Sequence, residues 1–193
     1  MILPHLTYLA SICANSGITE AIISPGSRSA PVSLAFIRHS AIHCRVIPDE
    51  RAAAFIALGM AQQRNRPVVL ICTSGSAALN YGPAVAEAYY QQVPLLVLTA
   101  DRPPEWIEQW DGQTIRQENI YGSYIKASFS FPDDAVHQDK LWHAKRLVKE
   151  ALVSAIDFPM GPVHINIPLR EPFYPTPEEQ FPFETDNAES VFD

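Results

Sequence analysis

The chain has 193 residues and a formal net charge of −7. This length fits one domain better than two, and the negative charge argues against a general nucleic-acid binder, which is usually basic. Hydrophobic residues make up 47% of the sequence, enough for a sizeable core, whereas charged residues make up only 18%. So small a charged fraction points to some burial of the surface against a partner.

The three cysteines form no CxxC pair and the six histidines show no metal-ligand spacing. This pattern argues against a disulfide or zinc framework and favours a reducing compartment. The apolar N-terminus lacks the Lys/Arg start of a signal peptide, and Leu6, Leu9 and Cys13 recur at helical spacing. We interpret residues 1–17 as an amphipathic helix. No apolar run reaches membrane-spanning length, so we expect a cytoplasmic protein without a membrane or nucleic-acid partner.

Short apolar runs alternate with helical patterns along the chain. Strands are predicted at residues 21–24, 42–47, 68–73, 95–100, 124–131 and 163–167. Continuous Val/Ile/Leu runs of this kind are typical of strands that are covered on both faces. Helical spacing predicts helices over residues 51–64, 84–92 and 138–156. The alternation predicts an α/β fold with an open, mostly parallel sheet of about six strands and helices on both faces.

The character of the sequence changes at Glu171. The residues that follow are proline-rich, acidic and without periodicity, which is typical of a linker or tail. We therefore expect one α/β domain over residues 1–175 and a tail over residues 176–193. A domain that ends in a linker is expected to be a fragment of a longer chain.

Ligands of open parallel sheets bind where the strands end, and four loops there are unusual. The first is SPGSRSAP, residues 24–31, in which Gly26 allows a tight turn. Ser27, Arg28 and Ser29 offer hydrogen-bond donors beside a helix start, where an arginine can hold a carboxylate or phosphate with two parallel bonds. An ordinary turn with a solvated arginine explains the same residues equally well.

The second loop is IPDER, at the start of the helix predicted over residues 51–64. Pro48 or Asp49 is expected to begin this helix, which places Glu50 in its first turn. A glutamate there commonly does no more than complement the helix dipole. A carboxyl at a dry interface can instead keep its proton and donate a hydrogen bond.

The third loop is CTSGSAALN, residues 72–80, which resembles a phosphate-binding turn only loosely. The sequence contains no GxGxxG and no P-loop, so a dinucleotide or nucleoside triphosphate site is unsupported. GxSxG is also absent, because Ser74 and Ser76 flank Gly75 without a second glycine. A serine hydrolase is therefore not expected.

The fourth loop covers residues 99–117 and is long for a connection after a buried strand, which favours a function. It is polar and aromatic and contains Arg102, Gln113, Arg116 and Gln117. Arg102 can bind an anionic ligand or form a structural ion pair with Asp101 or Glu105, and the sequence does not separate these readings.

Taken together, the loops resemble one family. PGSRS, DER at a helix start, TSGSA followed by Asn80, LTADRPPE, GQTIRQ and HINIPLREP occur in this order with matching spacings. The series is similar to the N-terminal pyrimidine-binding domain of the SEPHCHC synthases (MenD), thiamine-diphosphate enzymes of menaquinone biosynthesis. The resemblance covers about residues 1–175.

The resemblance implies a transferase that decarboxylates 2-oxoglutarate and joins the product to isochorismate. In this family the diphosphate and Mg²⁺ are held by a C-terminal domain with a GDG motif, which this sequence lacks. Active sites of the family form between subunits. The resemblance therefore implies a homo-oligomer, a dimer or tetramer, and a chain that is inactive alone.

The resemblance also assigns site residues. Glu50 matches the glutamate that hydrogen-bonds the aminopyrimidine ring and favours the imino tautomer, which then removes the thiazolium proton. The segment from Thr73 through Ser74 and Gly75 to Ser76 is implied to line the pyrimidine pocket, with Ser76 where a threonine is common. Substrate-site positions of the family are matched by Ser27, Arg28, Arg102 and Gln113.

Two other functions fit the sequence alone. One is a separate pyrimidine-domain subunit of another thiamine-diphosphate decarboxylase, which would pair with a separately encoded diphosphate subunit. The other is a non-catalytic ligand-binding α/β domain, for which tight binding of a different metabolite would be the signature.

Overall fold

The computed structural model describes residues 3–171, 173–176 and 178–183. It contains a six-stranded sheet in which every neighbouring pair is parallel. The strands are Glu20–Ile23 (β1), His43–Val46 (β2), Val68–Cys72 (β3), Leu95–Asp101 (β4), Ala127–Ser130 (β5) and Val163–Pro168 (β6). Their order across the sheet is β2-β1-β3-β4-β6-β5. The predicted open parallel sheet is confirmed, and each strand overlaps one predicted run.

Six α-helices accompany the sheet in the described part of the chain. They are Pro4–Asn15 (α1), Ala30–Ile37 (α2), Glu50–Arg64 (α3), Ser76–Asn80 (α4), Gly82–Tyr90 (α5) and Gln138–Ile156 (α6). The three helices predicted over 51–64, 84–92 and 138–156 are confirmed to within two residues at each end. Helix α4 is too short to show a helical period, so its sequence does not predict it.

The helices cover both faces of the sheet, as the alternation of elements predicts. One hydrophobic cluster joins α1, α2 and α6 to one face through residues such as Ile23 and Leu98. The other joins α3, α4 and α5 to the opposite face through residues such as Ile22 and Val97. Because successive strand residues point to opposite faces, central strands buried on both sides are apolar at nearly every position.

The two edge strands differ from the central ones. Strand β2 is half-buried or exposed along its length, and Val46 remains 56% exposed. The prediction that all the apolar runs are covered on both faces is therefore wrong for β2, and also for the other edge strand, β5, which is half-buried with an exposed end. An edge strand has a neighbour on one side only, and here Arg45 of β2 forms an ion pair with the buried Glu20 of β1.

The described residues after β6 contain no helix or strand, yet their aromatic side chains pack on the domain. Phe173 and Phe183 contact the cluster that includes α1 and α2. The guanidinium of Arg38 lies 4.9 Å from the ring centroid of Phe181. The division at residue 175 stays a prediction, and the expected tail beyond residue 183 lies outside the described residues. Within the described part, no helix combines the length and apolar character that crossing a bilayer requires.

His5 lies in the core against Phe131, with 5.6 Å between the ring centroids. Neither ring nitrogen has a hydrogen-bond partner among the described residues. Burial lowers the pKa of His5 from 6.5 to about 4, although Asp134 and Asp133 raise it. Burial also lowers the pKa of His164 to about 3. Both imidazoles are therefore neutral in the folded chain at pH 5.

We expect the melting temperature to fall as the pH drops from 7 to 4. The unfolded chain gains protons at His5 and His164 near pH 6.5, and the folded chain does not, so acid favours unfolding by on the order of 1 kcal/mol per pH unit for each histidine. Burial raises the pKa of Asp101, which opposes this trend at the acid end. Melting curves of wild type and His5→Leu test this expectation, because the variant should lose less stability on acidification. Equal losses would contradict it.

Candidate functional site

The four unusual loops meet at one end of the sheet. Strand β1 lies between β2 and β3 in the sheet. After β1 the chain forms β2 on one side of β1, and it then crosses to the opposite side of β1 to form β3 and β4. Such a switch point leaves a crevice beyond the carboxyl ends of the strands. The loops after β1, β2, β3 and β4 all begin at this end, so the topology brings the predicted site segments together.

Glu50 lies at this end of the sheet in the first turn of α3. The carboxylate of Asp49 caps the helix by accepting a 2.7 Å hydrogen bond from the backbone N–H of Ala52, which confirms the predicted helix start. Glu50 is half-buried, and its side chain makes no hydrogen bond or ion pair with any described residue. The pKa of the Cys72 thiol at the end of β3 is raised, chiefly by burial and also by the charge of Glu50. Helix α3 packs against β3 and begins at the carboxyl end of the sheet, so the Glu50 carboxylate lies at this end and is available to a ligand.

The loops after β1 and β3 are in close contact. A Cβ added to Gly26 would lie 2.4 Å from Cβ of Thr73, so only a glycine fits beside this threonine. Thr73 and Ser74 follow β3 directly, with Ser74 buried and Thr73 half-buried. Ser27 and Ser76 are exposed. The structure thus packs the backbone of the first loop at Gly26 against the Thr73 side chain of the third loop, and it leaves these two serines at the surface.

The third and fourth loops are also in contact, through Gly75. Its backbone has φ 84° and ψ −141°, a conformation that is essentially restricted to glycine. A Cβ at this position would lie 2.8 Å from the Cα of Gln113. The backbone of the predicted substrate residue Gln113 therefore rests on the turn predicted to line the pyrimidine pocket, while its side chain is exposed.

Arg28 is buried, with 8% of its surface exposed. Its Nη1 donates a 2.7 Å hydrogen bond to the carbonyl of Leu169, and its guanidinium lies 4.4 Å from the ring centroid of Phe173. Its Nε has no partner among the described residues. A buried guanidinium that is only partly satisfied, and fixed by a carbonyl and a ring, is well suited to bind an anion.

Arg28 and Arg102 line the same cavity of about 360 Å³. Arg102 donates to the carbonyl of Gly112 at 3.1 Å and to Thr114 Oγ1 at 3.3 Å, and its Nη2 lies 3.8 Å from Asp111. These contacts hold the start and the end of the fourth loop together. The remaining cavity residues are Pro103, Trp106, Asp111, Arg170 and Glu171.

The ion pairs suggested for Arg102 by its sequence neighbours are not formed. Asp101 instead accepts a hydrogen bond from the backbone N–H of Arg102, and Glu105 pairs with Arg170. Arg116, which shares the fourth loop, pairs with Glu108. Proximity in sequence was misleading here because the loop folds back on itself and brings Asp111 to Arg102.

A buried polar network beneath the fourth loop includes residues of the family motifs to which the resemblance assigns no role. Gln117 donates to the carbonyl of Ala100 at 3.1 Å and to Asn166 Oδ1 at 3.0 Å, and it accepts a 2.7 Å bond from the Gly75 N–H. Asn166 donates to Asp101 at 2.7 Å. One signal points to such residues: Thr99 and Asp101 in β4, and His164 and Asn166 in β6, are polar residues at alternate positions of otherwise apolar strands.

No cluster of histidine, cysteine or carboxylate side chains suited to a metal ion occurs in the described part of the chain. Three cysteines, Cys13, Cys44 and Cys72, are free thiols. The site offers a carboxylate that has no partner among the described residues, a glycine turn buried against a second loop, and arginines around a cavity. This set can bind a heterocycle through Glu50 and the turn, and an anionic molecule through the arginines.

Comparison with known proteins connects this geometry to a family. Residues 6–120 match the model of the thiamine pyrophosphate enzyme, N-terminal TPP binding domain. The chain is 57% identical over 173 residues, 90% of its length, to 2-succinyl-5-enolpyruvyl-6-hydroxy-3-cyclohexene-1-carboxylate synthase of Cytophaga hutchinsonii. It is 48% identical over 170 residues, 88% of its length, to the synthase of the same name from Desulfotalea psychrophila. It spans about a third of these relatives, 31% and 32% of their lengths.

Proposed function

Because the chain belongs to the thiamine pyrophosphate enzymes through their N-terminal TPP binding domain, we propose that it is the pyrimidine-binding part of a SEPHCHC synthase. That enzyme would decarboxylate 2-oxoglutarate and transfer the remaining four-carbon unit to isochorismate. The relatives named above support this assignment, since they match over some nine-tenths of this chain. The three free thiols are consistent with a cytoplasmic enzyme.

The observation that carries the proposal is the position and isolation of Glu50. A half-buried carboxylate without a partner in the described residues, beside the end of β3, fits a ring nitrogen that a bound aminopyrimidine would present. The buried turn at Ser74 and Gly75 offers a close backbone surface for such a ring. These residues therefore fit the pyrimidine half of thiamine diphosphate. In the relatives the diphosphate and Mg²⁺ would be held outside the region that this chain matches.

When bound, thiamine diphosphate supplies the electron sink that decarboxylation of a 2-oxo acid requires. The role of Glu50 is to share a proton with the ring nitrogen and so select the tautomer of the cofactor. Burial strengthens this bond, because a hydrogen bond shielded from water is electrostatically stronger. Thr73, Ser74, Gly75 and Ser76 orient the ring and exclude water from one side.

The arginine-lined cavity is assigned to isochorismate. The carboxylates of isochorismate are anionic, and the chain as a whole is acidic. Local guanidinium groups must therefore overcome the long-range repulsion between the protein and this substrate. Arg28 and Arg102 supply these groups from the cavity wall. Ser27 and Gln113 are exposed residues of the same two loops and are assigned to further polar contacts with the substrate. Bidentate contacts from arginine to carboxylate would also orient the acceptor for carbon–carbon bond formation.

Exposed apolar side chains on α3, α4 and α5 support an oligomeric enzyme. Phe55, Ile56 and Leu79 are 43–55% exposed, and Tyr90 is 73% exposed. Large apolar residues grouped on one side of a domain are typical of a surface that another subunit or domain covers. We assign this surface to contacts within a homo-oligomer, a dimer or tetramer.

The function is tested with a longer chain that carries this domain together with the diphosphate-binding region. Incubation with thiamine diphosphate, Mg²⁺, 2-oxoglutarate and isochorismate should release CO₂ and consume both substrates in equal amounts. This chain alone should show neither activity. Release of CO₂ without consumption of isochorismate would contradict the proposed acceptor, and CO₂ release by this chain alone would contradict the division of the site.

In the longer enzyme, Arg28→Lys should raise the KM for isochorismate by about tenfold or more, the loss expected for one charge-assisted hydrogen bond. Lysine keeps the charge but loses the planar fork, the stacking on Phe173 and part of the reach to Leu169. Decarboxylation of 2-oxoglutarate without an acceptor should change less. Steady-state kinetics of both reactions are the measurement.

The matched control is Arg146→Lys on α6, an exposed arginine paired with Glu150, which should leave both reactions unchanged. Equal losses in the two reactions of Arg28→Lys, together with a lower melting temperature, would make Arg28 a purely structural residue.

A further inference from the structure

Gln117 is buried, with 1% of its surface exposed, at the end of the fourth loop. It makes three hydrogen bonds to groups that are distant in sequence. Its Nε2 donates to the carbonyl of Ala100 and to Asn166 Oδ1, and its Oε1 accepts from the backbone N–H of Gly75 at 2.7 Å. A side-chain amide with both donors and its acceptor engaged in the core is held in one orientation.

That orientation is fixed by a carboxylate one step further in the network. Ionised Asp101 can only accept hydrogen bonds, so the Nδ2 of Asn166 must face it, and the two atoms are 2.7 Å apart. The Oδ1 of Asn166 consequently faces Gln117 and Thr99, and it accepts from both, at 3.0 and 2.9 Å. Gln117 must then direct its Nε2 toward Asn166 and its Oε1 toward Gly75.

The same chain of bonds links two segments of the proposed site. Gly75 belongs to the turn after β3, and its backbone contacts Gln113, four residues before Gln117. Asp101 also accepts a 2.7 Å hydrogen bond from the backbone N–H of Arg102. One buried network therefore fixes the turn assigned to the pyrimidine and both ends of the loop assigned to isochorismate.

We propose that Gln117 is a positioning residue that, oriented by Asn166 and Asp101, holds the Gly75 turn in register with the Arg102–Gln113 loop. This inference rests on the proposed function for its catalytic consequence. Gln117 itself touches neither cofactor nor substrate in this role. It acts by fixing the N–H of Gly75 and thereby the direction of the Ser74–Gly75 peptide, whose carbonyl points the opposite way.

The test is Gln117→Glu, which keeps the shape of the side chain and the acceptor oxygen Oε1 but replaces the donor Nε2 with a second oxygen. When ionised, the new carboxylate would face the carbonyl of Ala100 and the oxygen of Asn166 without a proton between them. When protonated, it can donate one hydrogen bond and resemble glutamine. The titratable groups that face this position are Asp101 from β4 and His164 from β6. The wild type carries both, so comparing the variant with the wild type at each pH removes the effect of their titration.

The first measurement is the hydrogen-exchange rate of the Gly75 amide, determined by NMR on this chain. This measurement does not depend on any enzymatic activity. In Gln117→Glu at pH 8, repulsion from the carbonyl of Ala100 and from Asn166 Oδ1 should displace the carboxylate, so that the Gly75 N–H loses its acceptor. The amide should then exchange about tenfold faster than in the wild type, the effect of losing one ordinary hydrogen bond, and should return toward the wild-type rate at pH 5.5. Gln109→Glu, an exposed glutamine of the same loop, should leave Gly75 unchanged at both pH values.

The second variant, Gln117→Met, has a similar shape and lacks every polar group, so it covers the case in which the glutamate variant does not fold. Its Gly75 amide should exchange faster at both pH values. A Gly75 amide that is as protected as in the wild type, either at pH 8 in folded Gln117→Glu or at both pH values in folded Gln117→Met, overturns the proposal. So does a loss of protection in Gln117→Glu that is the same at both pH values.

The catalytic consequence is measured in the longer enzyme. Gln117→Glu should raise the KM for isochorismate at pH 8 and recover toward the wild-type value at pH 5.5, whereas Gln109→Glu should follow the wild type. A pH-independent KM in Gln117→Glu overturns the positioning role. A wild-type enzyme without SEPHCHC synthase activity would instead refute the proposed function and leave the exchange result on Gly75 standing.

Discussion

Replacing Glu50 with glutamine in the longer enzyme should reduce deuterium exchange at the reactive thiazolium carbon of bound thiamine diphosphate by roughly 10²–10⁴-fold, the range for loss of one positioned proton-transfer group. Glutamine matches the shape of glutamate and can still donate a hydrogen bond to a ring nitrogen. It cannot exchange a proton with that nitrogen. Because the side chain of Glu50 makes no hydrogen bond or ion pair with the described residues, the change should leave the fold intact.

The competing explanation is that Glu50 only complements the dipole of α3. In that case the substitution should cost about 0.3–1 kcal/mol of stability and little activity. Asp139→Asn provides the control, because Asp139 occupies the first turn of α6 with its side chain 90% exposed. Similar melting temperatures and similar exchange rates in both variants would remove Glu50 from the mechanism.

Replacing Gly75 with alanine should destabilise the domain by about 2–5 kcal/mol. Part of this cost is backbone strain, since φ 84° with ψ −141° is a glycine conformation. The rest is a collision, because the new Cβ would lie 2.8 Å from the Cα of Gln113 and 3.0 Å from its carbonyl oxygen. Backbone atoms of a packed loop cannot move aside as a flexible side chain can. Chemical denaturation of this chain measures the loss.

Gly59→Ala is the matched control for Gly75→Ala. Gly59 lies within α3, and an added Cβ would meet no atom within 4 Å, so alanine should be neutral or stabilise the helix by up to about 1 kcal/mol. Denaturation midpoints that fall equally in both variants would mean that the cost at Gly75 does not arise from its special conformation and contact.

The predictions that succeeded depend on residues close together in the chain. Asp49 caps α3 and so places Glu50 in its first turn, and the apolar runs define strands that the structure reproduces. The family resemblance is likewise carried by short motifs, and the matches to the TPP binding domain and to the synthases confirm it. The failed prediction for β2 concerned burial on both faces, which depends on the position of a strand in the sheet.

The partners of the polar side chains were decided by the tertiary structure. Arg102 contacts Gly112 and Thr114 because the loop between them folds back, with positive φ angles at Glu108, Trp110 and Gln113. The sequence neighbours proposed as its ion-pair partners are used elsewhere. Local patterns cannot indicate such a reversal, since no periodicity or cap marks it.

The chemistry-bearing residues and their host elements can therefore be identified from the sequence, because caps, turns and hydrophobic periods act over a few residues. The hydrogen-bond network that holds these elements in register cannot be identified from the sequence. Gln117 is 42 residues from Gly75 and 49 from Asn166, and Asn166 is 65 from Asp101. Asn166 meets Asp101 because β6 lies on one side of β4, and the Gly75 turn reaches the same network because β3 lies on the other side of β4. This strand order depends on long-range packing and leaves no local trace in the sequence.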